Sequence, residues 1–196
     1  MRSLARCLPA FSFVACLAFL AAIGLPAVAR AQRAHGAHEH GVAALTVAID
    51  GQALLVELIS PLDNLVGFER APKNAAERAA LAEAGRRLRD AGAMFALPPA
   101  AGCRLEAVDI ESPWPLSAAT PAPGSGGQPP AHDARGGHED VVASYRFACV
   151  QPAALERLEV GAFAQFPRLR TLRVEHAGAR GQGAAVLTPA APGLAL

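Results

Sequence analysis

Lysine is almost missing from this 196-residue chain, since Lys73 is the only one, and aromatic residues make up just 5% of it, with one Trp and one Tyr. A nucleic-acid surface needs basic side chains gathered on one face, usually with aromatics among them for base stacking. No basic stripe alternates with aromatics here, so nothing supports a nucleic-acid partner.

Catalytic signatures are missing too. There is no GxSxG elbow, no P-loop, and no GxGxxG opening a helix after a strand. His38-Glu39-His40 is not HExxH and lacks the helical spacing that sets both imidazoles on one face. Ser60, Ser112, Ser117, Ser125 and Ser144 have no evident base nearby. The expectation is a protein that is not an enzyme.

The N-terminus carries an export signal. Arg2 and Arg6 form a small basic start, and residues 8–25 are an apolar run containing Phe11, Phe13, Leu17, Phe19, Leu20 and Ile23. Ala27-Val28-Ala29 and Ala29-Arg30-Ala31 both satisfy the small-x-small rule of signal peptidase. Cleavage after Ala31 would leave Gln32 first. The rival reading, an uncleaved anchor, meets a run that is short for a span and broken by Pro9, Gly24 and Pro26. The positive mean hydropathy owes part of its value to this leader.

About 165 residues then remain, enough for one domain with a real core. Removing Arg2, Arg6 and Arg30 from the 18 Lys and Arg leaves fifteen against 17 Asp and Glu, a net charge of −2 with His neutral. Cys7 and Cys16 leave with the leader, so only Cys103 and Cys149 stay. Two cysteines in an oxidising compartment most simply form one disulfide. It would stabilise the fold by roughly 4 kcal/mol in the chain-entropy account. The competing thiolate metal site lacks any CxxC pairing.

Periodicity outlines the remainder. Leu45, Val47 and Ile49 alternate with polar or small residues as in a half-buried strand, and Asp50-Gly51 leads into a return strand at 54–59. Gln52 and Ala53 are candidates to lengthen that turn, and Ser60-Pro61 ends the strand. A helix is predicted over 75–91, capped by Asn74, boxed by Glu77 and terminated by Gly92. Leu81, Ala84, Leu88 and Ala91 form its buried stripe, while Arg78, Glu83, Arg86, Arg87 and Arg89 form a solvated face.

Strands follow at 103–110, with irregular alternation that suggests a bulge, and at 141–150, with Val141, Ala143, Tyr145, Phe147 and Cys149 on one face. Between them, residues 112–137 hold Pro113, Pro115, Pro121, Pro123, Pro129 and Pro130, and are expected to be a mobile loop. The disulfide would staple the two strands at the base of that loop. A short helix is expected at 153–158, a strand at 169–176, a loop at 178–183 and a further strand at 184–187. The predicted class is α+β: a mainly antiparallel sheet, one long and one short helix, one disulfide and a long Pro/Gly-rich loop. The organisation reads as a signal peptide at 1–31, a His-rich arm at 32–40 and one domain at 41–196 with an insertion at 112–137.

The arm carries the chemistry. His35, His38 and His40 lie within six positions, with Glu39 among them. Neutral imidazole is a common ligand for zinc and also suits copper and nickel, and a carboxylate can complete four-coordination. The alternative is a solvated arm that binds nothing. Copper or nickel would be favoured by a mature terminus with His third, which needs cleavage after Gln32 to give Arg33-Ala34-His35. Cleavage after Ala31 puts His35 fourth instead. A second cluster, His132-Asp133 and His138-Glu139-Asp140, lies in and at the end of the loop. It is either a weak zinc site, alone or joined to the first, or an ordinary solvated loop. His176 continues the Leu172 and Val174 face of its strand and reads as a structural histidine.

Several motifs together carry a resemblance. These are the run from His35 to Gly51 (HGAHEHGVAALTVAIDG), Ile59-Ser-Pro61, Asn64-Leu-Val-Gly-Phe-Glu-Arg-Ala-Pro72, the paired cysteines, Gln151-Pro-Ala-Ala-Leu155 and Leu187-Thr-Pro189. The chain resembles the ZrgA-like family of periplasmic proteins of Gram-negative bacteria over nearly its whole mature length. The resemblance implies zinc binding and an accessory role in zinc acquisition, beside a zinc ABC importer and its solute-binding protein. This chain departs from the family pattern at Arg70, where family members often carry His, and in a loop that keeps only His132 and His138. The resulting expectation is a periplasmic zinc-binding protein with no membrane span after signal cleavage. Its expected ligands are His35, His38, His40 and Glu39, with His132, Asp133, His138 and Asp140 secondary. The alternatives are a non-metal periplasmic interaction module and a copper- or nickel-binding protein.

Overall fold

Alternating apolar residues organise the first half of the fold. The computed structural model describes residues 39–117 and 140–196, all within one compact unit that runs Ala37–Leu196. Strand β1 (Val42–Asp50) turns at Gly51 and Gln52 into β2 (Ala53–Pro61), with Asp50 facing Ala53 across a two-residue loop. Ala53 therefore belongs to the strand rather than to the turn. Leu45 and Val47 of β1 and Leu54, Val56 and Leu58 of β2 are buried, as the period of two requires.

Helix α1 (Leu62–Val66) follows Pro61 directly and was not legible in the sequence. Helix α2 (Ala75–Arg89) matches the predicted element at its start, where Asn74 accepts from the Glu77 N–H at 2.9 Å. The Glu77 carboxylate reaches back to the Lys73 N–H at 2.6 Å and takes both Arg70 guanidinium nitrogens at 2.8 Å. The helix ends two residues earlier than predicted, and Gly92 does not terminate it. Asp90 breaks the chain and caps a new turn, α3 (Ala91–Met94), through the Ala93 N–H. A short Asx-type acceptor at the junction satisfies an amide that a continuous helix would have bonded internally.

Strand β3 (Phe95–Ala96) leads through a 3₁₀ turn, Pro99–Ala101, to β4 (Cys103–Glu111), which pairs with β5 (Asp140–Cys149). The register of this pair shifts between Leu105 and Ala107, the bulge that the irregular alternation implied. Cys103 and Cys149 face each other and are bonded. Of the expected loop at 112–137, residues 112–117 pack back toward α2, burying Leu116. Its remainder, 118–137, lies outside the described residues.

The helix predicted at 153–158 does not form. Pro152–Ala154 makes one 3₁₀ turn, and Arg157–Val160 is strand β6. Its apolar residues Leu158 and Val160 are two apart, and β3 on one side with β9 (Gly193–Ala195) on the other complete a small antiparallel sheet. A short apolar run is ambiguous by periodicity, and distant partners decide it. Helix α4 (Ala162–Gln165) then leads to β7 (Thr171–Gly178) and β8 (Gly181–Leu187). The expected glycine-rich loop at 178–183 is mostly strand, closed by the two-residue turn Ala179 and Arg180.

The large sheet has the order β4-β5-β2-β1-β7-β8. It is mixed, since β1 and β7 run parallel while every other neighbouring pair is antiparallel. Alternation reports which face a residue takes but not strand direction, so this pairing was not legible. One face of the sheet, α2 and the small sheet enclose a single hydrophobic core that includes Tyr145, Leu88, Leu158, Phe166 and Leu172. Among the described residues no helix is long and apolar enough to cross a membrane.

Candidate metal centre

His40 sits in the turn that delivers the arm to β1. Gly41 follows it at φ +84°, a left-handed conformation that any Cβ would strain, and a Cβ there would also meet the Arg170 Cγ at 3.2 Å. The Gly41 carbonyl accepts from the Arg170 and Thr171 N–H groups at 2.7 and 2.9 Å. Asn64 of α1, fully buried, locks the other side. Its Oδ1 accepts from the Gly41 N–H at 2.7 Å, and its Nδ2 donates to the Val42 carbonyl at 2.9 Å and the Ser60 hydroxyl at 3.2 Å. One amide side chain thus ties β1, the end of β2 and α1 together.

This clasp places the His40 imidazole between two carboxylates. Nδ1 lies 4.0 Å from Asp63 Oδ2 and Nε2 lies 3.9 Å from Glu69 Oε2, with the imidazole 66% exposed. Asp63 is held by Arg168, whose Nη2 donates to both carboxylate oxygens at 2.9 and 3.0 Å. The Arg168 Nε donates to the Asp63 carbonyl at 2.9 Å as well. Glu69 sits between the end of α1 and the start of α2, in a segment anchored by Arg70. The Arg70 guanidinium bonds Glu77 and stacks 5.2 Å from the centre of the Phe68 ring. Arginine at this position cannot ligate a metal, and here it serves as a strut.

The sequence-predicted ligands fall in four places. His40 is in the cluster. Glu39 points to the neighbouring strand, where it accepts from Arg173 at 2.7 Å. Asp140 opens β5 opposite Pro61, at the same end of the sheet where the arm enters β1. His35, His38, His132, Asp133 and His138 lie outside the described residues. His176 is half-buried on the core-facing side of β7, opposite Gly183 and at the other end of the sheet. Among the described residues, no three His, Cys, Asp or Glu side chains converge on a metal position.

Asp63 and Glu69 were missed because each reads as an ordinary acid beside a helix. The available signal was that both flank the Asn64-Leu-Val-Gly-Phe motif, within a few residues of each other. The constellation is an imidazole flanked by two acidic side chains at one end of the sheet, and imidazole nitrogen and carboxylate oxygen are both donor types that zinc accepts. A profile described as ZrgA family zinc uptake protein matches residues 37–196, and the chain belongs to that family. Its role is therefore related to zinc uptake. No curated protein matches the chain.

Proposed function

We propose that this protein captures or buffers zinc in the periplasm, as a non-catalytic accessory to zinc import. The observation that carries the proposal is the His40 imidazole, set about 4 Å from both the Asp63 and Glu69 carboxylates at the root of the arm that bears His35 and His38. Zinc takes four N, O or S ligands at about 2.0–2.3 Å, so its donors stand roughly 3.4 Å apart. Small side-chain rotations bring His40 and Glu69 to that spacing. Asp63, already neutralised by Arg168, tunes the charge beside the ion. His35 and His38 complete the set in this reading.

The topology supports one metal region rather than two. The arm enters β1 at Val42 and the loop returns at Asp140, two strands away across β2, or about 10 Å. His132, Asp133 and His138 precede that return point. Their segment is suited to deliver extra ligands to the same end of the sheet, or to pass zinc on to an importer or its solute-binding protein.

Titration calorimetry with zinc on the metal-stripped protein tests the reading. A variant combining His35→Ala, His38→Ala and His40→Ala is expected to lose the tight site, and Glu69→Gln to weaken it about 10- to 100-fold. Binding that persists unchanged in the triple variant would remove the arm from the site. Absence of binding in the parent protein would overturn the zinc reading in favour of an interaction module. Preference for copper or nickel over zinc in competition would reassign the metal.

A further inference from the structure

The two edges of the large sheet are built differently. On β4 stand Arg104, Glu106, Asp109 and Glu111, together with the bulge between Leu105 and Ala107. Charge and a bulge are the usual means of keeping a foreign strand off an edge. Neither device is present on β8. Its sequence, Gly-Gln-Gly-Ala-Ala-Val-Leu, has no charge and no proline, and its pairing with β7 is regular throughout. Every residue from 181 to 186 is exposed or half-buried, with Val186 at 66%. In the small sheet, β3 and β9 hold two and three residues, too few for a stable added strand.

Hairpin geometry fixes which backbone groups point outward. Gly178 faces Gly181 across a two-residue turn, and the pair closing such a turn exchanges both hydrogen bonds. Bonded pairs then alternate, which turns the N–H and C=O groups of Gln182, Ala184 and Val186 away from β7. Among the described residues, no backbone hydrogen bond joins these three to any other segment.

We propose that β8 is a self-association edge, which pairs antiparallel with the β8 strand of a second copy about a two-fold axis at Ala184. The occupant follows from the two edges. Pairing of β8 with the β4 edge of another copy would be heterologous and open-ended, and the charges and bulge of β4 oppose it. Pairing with itself is closed. It sets Ala184 against Ala184 and Gln182 against Val186, so no charged residue meets a like charge. The nearest acids on the outer face are the two Glu175 residues, each beside Ala184 in the ladder. They stand three strand spacings apart, about 14 Å, beyond the Debye length of about 8 Å at physiological salt. Roughly six backbone hydrogen bonds form, and the two large sheets become one. The interface is small beside a standard one, so the dimer is a concentration-dependent one of micromolar strength. This inference does not depend on zinc.

Sedimentation velocity over a wide concentration range, in the presence of EDTA, tests it. The expected result is a mass that rises from one chain toward two. Ala184→Pro removes an outward-facing N–H without touching the β7 ladder, and Val186→Lys places a charge on the edge. Each is expected to raise the dissociation constant at least about tenfold, with circular dichroism unchanged. Under mild oxidation Ala184→Cys is expected to cross-link two copies, whereas Val186→Cys is not, because its two copies lie about 13 Å apart in this register. A single monomeric mass at all concentrations would overturn the proposal, as would a dimer unaffected by both edge variants. Cross-linking that is equal at the two cysteine positions would overturn the Ala184 axis.

Discussion

Asn64 does more for the candidate site than any residue that would touch a metal. Its amide satisfies a buried N–H, a carbonyl and a hydroxyl from three different segments. Asn64→Ala leaves the Gly41 N–H without its acceptor, and the expected cost is about 1–3 kcal/mol in a urea titration. The same variant is expected to weaken zinc binding, because His40 loses its fixed position. Glu77 offers a pH test. Hydrogen bonds from Arg70 and from the Lys73 N–H lower its pKa from 4.5 to about 2. A group depressed in this way contributes stability above pH 4.5 and loses it as pH falls toward 2. Carbon-13 NMR of its carboxyl is expected to titrate near 2, and Arg70→Ala to return the midpoint toward 4.5.

At the scale of elements, α2 is joined to its surroundings by close approaches. A Cβ on Gly85 would stand 2.2 Å from the Leu116 carbonyl oxygen and 2.7 Å from the Leu116 Cβ. Gly85→Ala is therefore expected to destabilise by about 1–3 kcal/mol, although alanine is ordinarily the better helix former. Gly92→Ala in α3 is the control, with its nearest atom at 3.7 Å, and is expected to be neutral or mildly stabilising by thermal midpoint. About one turn further along α2, the Tyr145 hydroxyl donates to the Leu88 carbonyl at 2.7 Å, and burial raises its pKa. Tyr145→Phe is expected to cost about 1 kcal/mol. In the parent protein, the tyrosine contributes its stability below its ordinary value of 10 and loses it as pH climbs above that.

For the molecule as a whole, the covalent tie lies at one end of the sheet and the proposed metal region at the other. Cys103 and Cys149 join the start of β4 to the end of β5, whereas the arm and the returning loop meet the sheet at Val42 and Asp140. Replacing both cysteines by serine is expected to cost about 2–5 kcal/mol in denaturant unfolding. Zinc affinity is expected to change little, because the site is held by Asn64 and Arg168 rather than by the disulfide. A large loss of zinc binding at a temperature where the variant stays folded would contradict that separation.

Local pattern alone determined the β1–β2 hairpin, the buried stripe and N-cap of α2, the core face of β5, the bulge in β4 and the pairing of Cys103 with Cys149. Each is written in residues close together, or in residue types whose chemistry leaves few choices. Tertiary structure decided the rest. Leu158 and Val160 became strand because β3 and β9 flank them, and β7 took a parallel place beside β1 because the chain crosses back before entering the sheet. Asp63 and Glu69 came within about 4 Å of the His40 imidazole only when Asn64 tied Gly41 to α1. Strand direction and side-chain convergence depend on contacts between distant segments, and such contacts leave no period in the sequence.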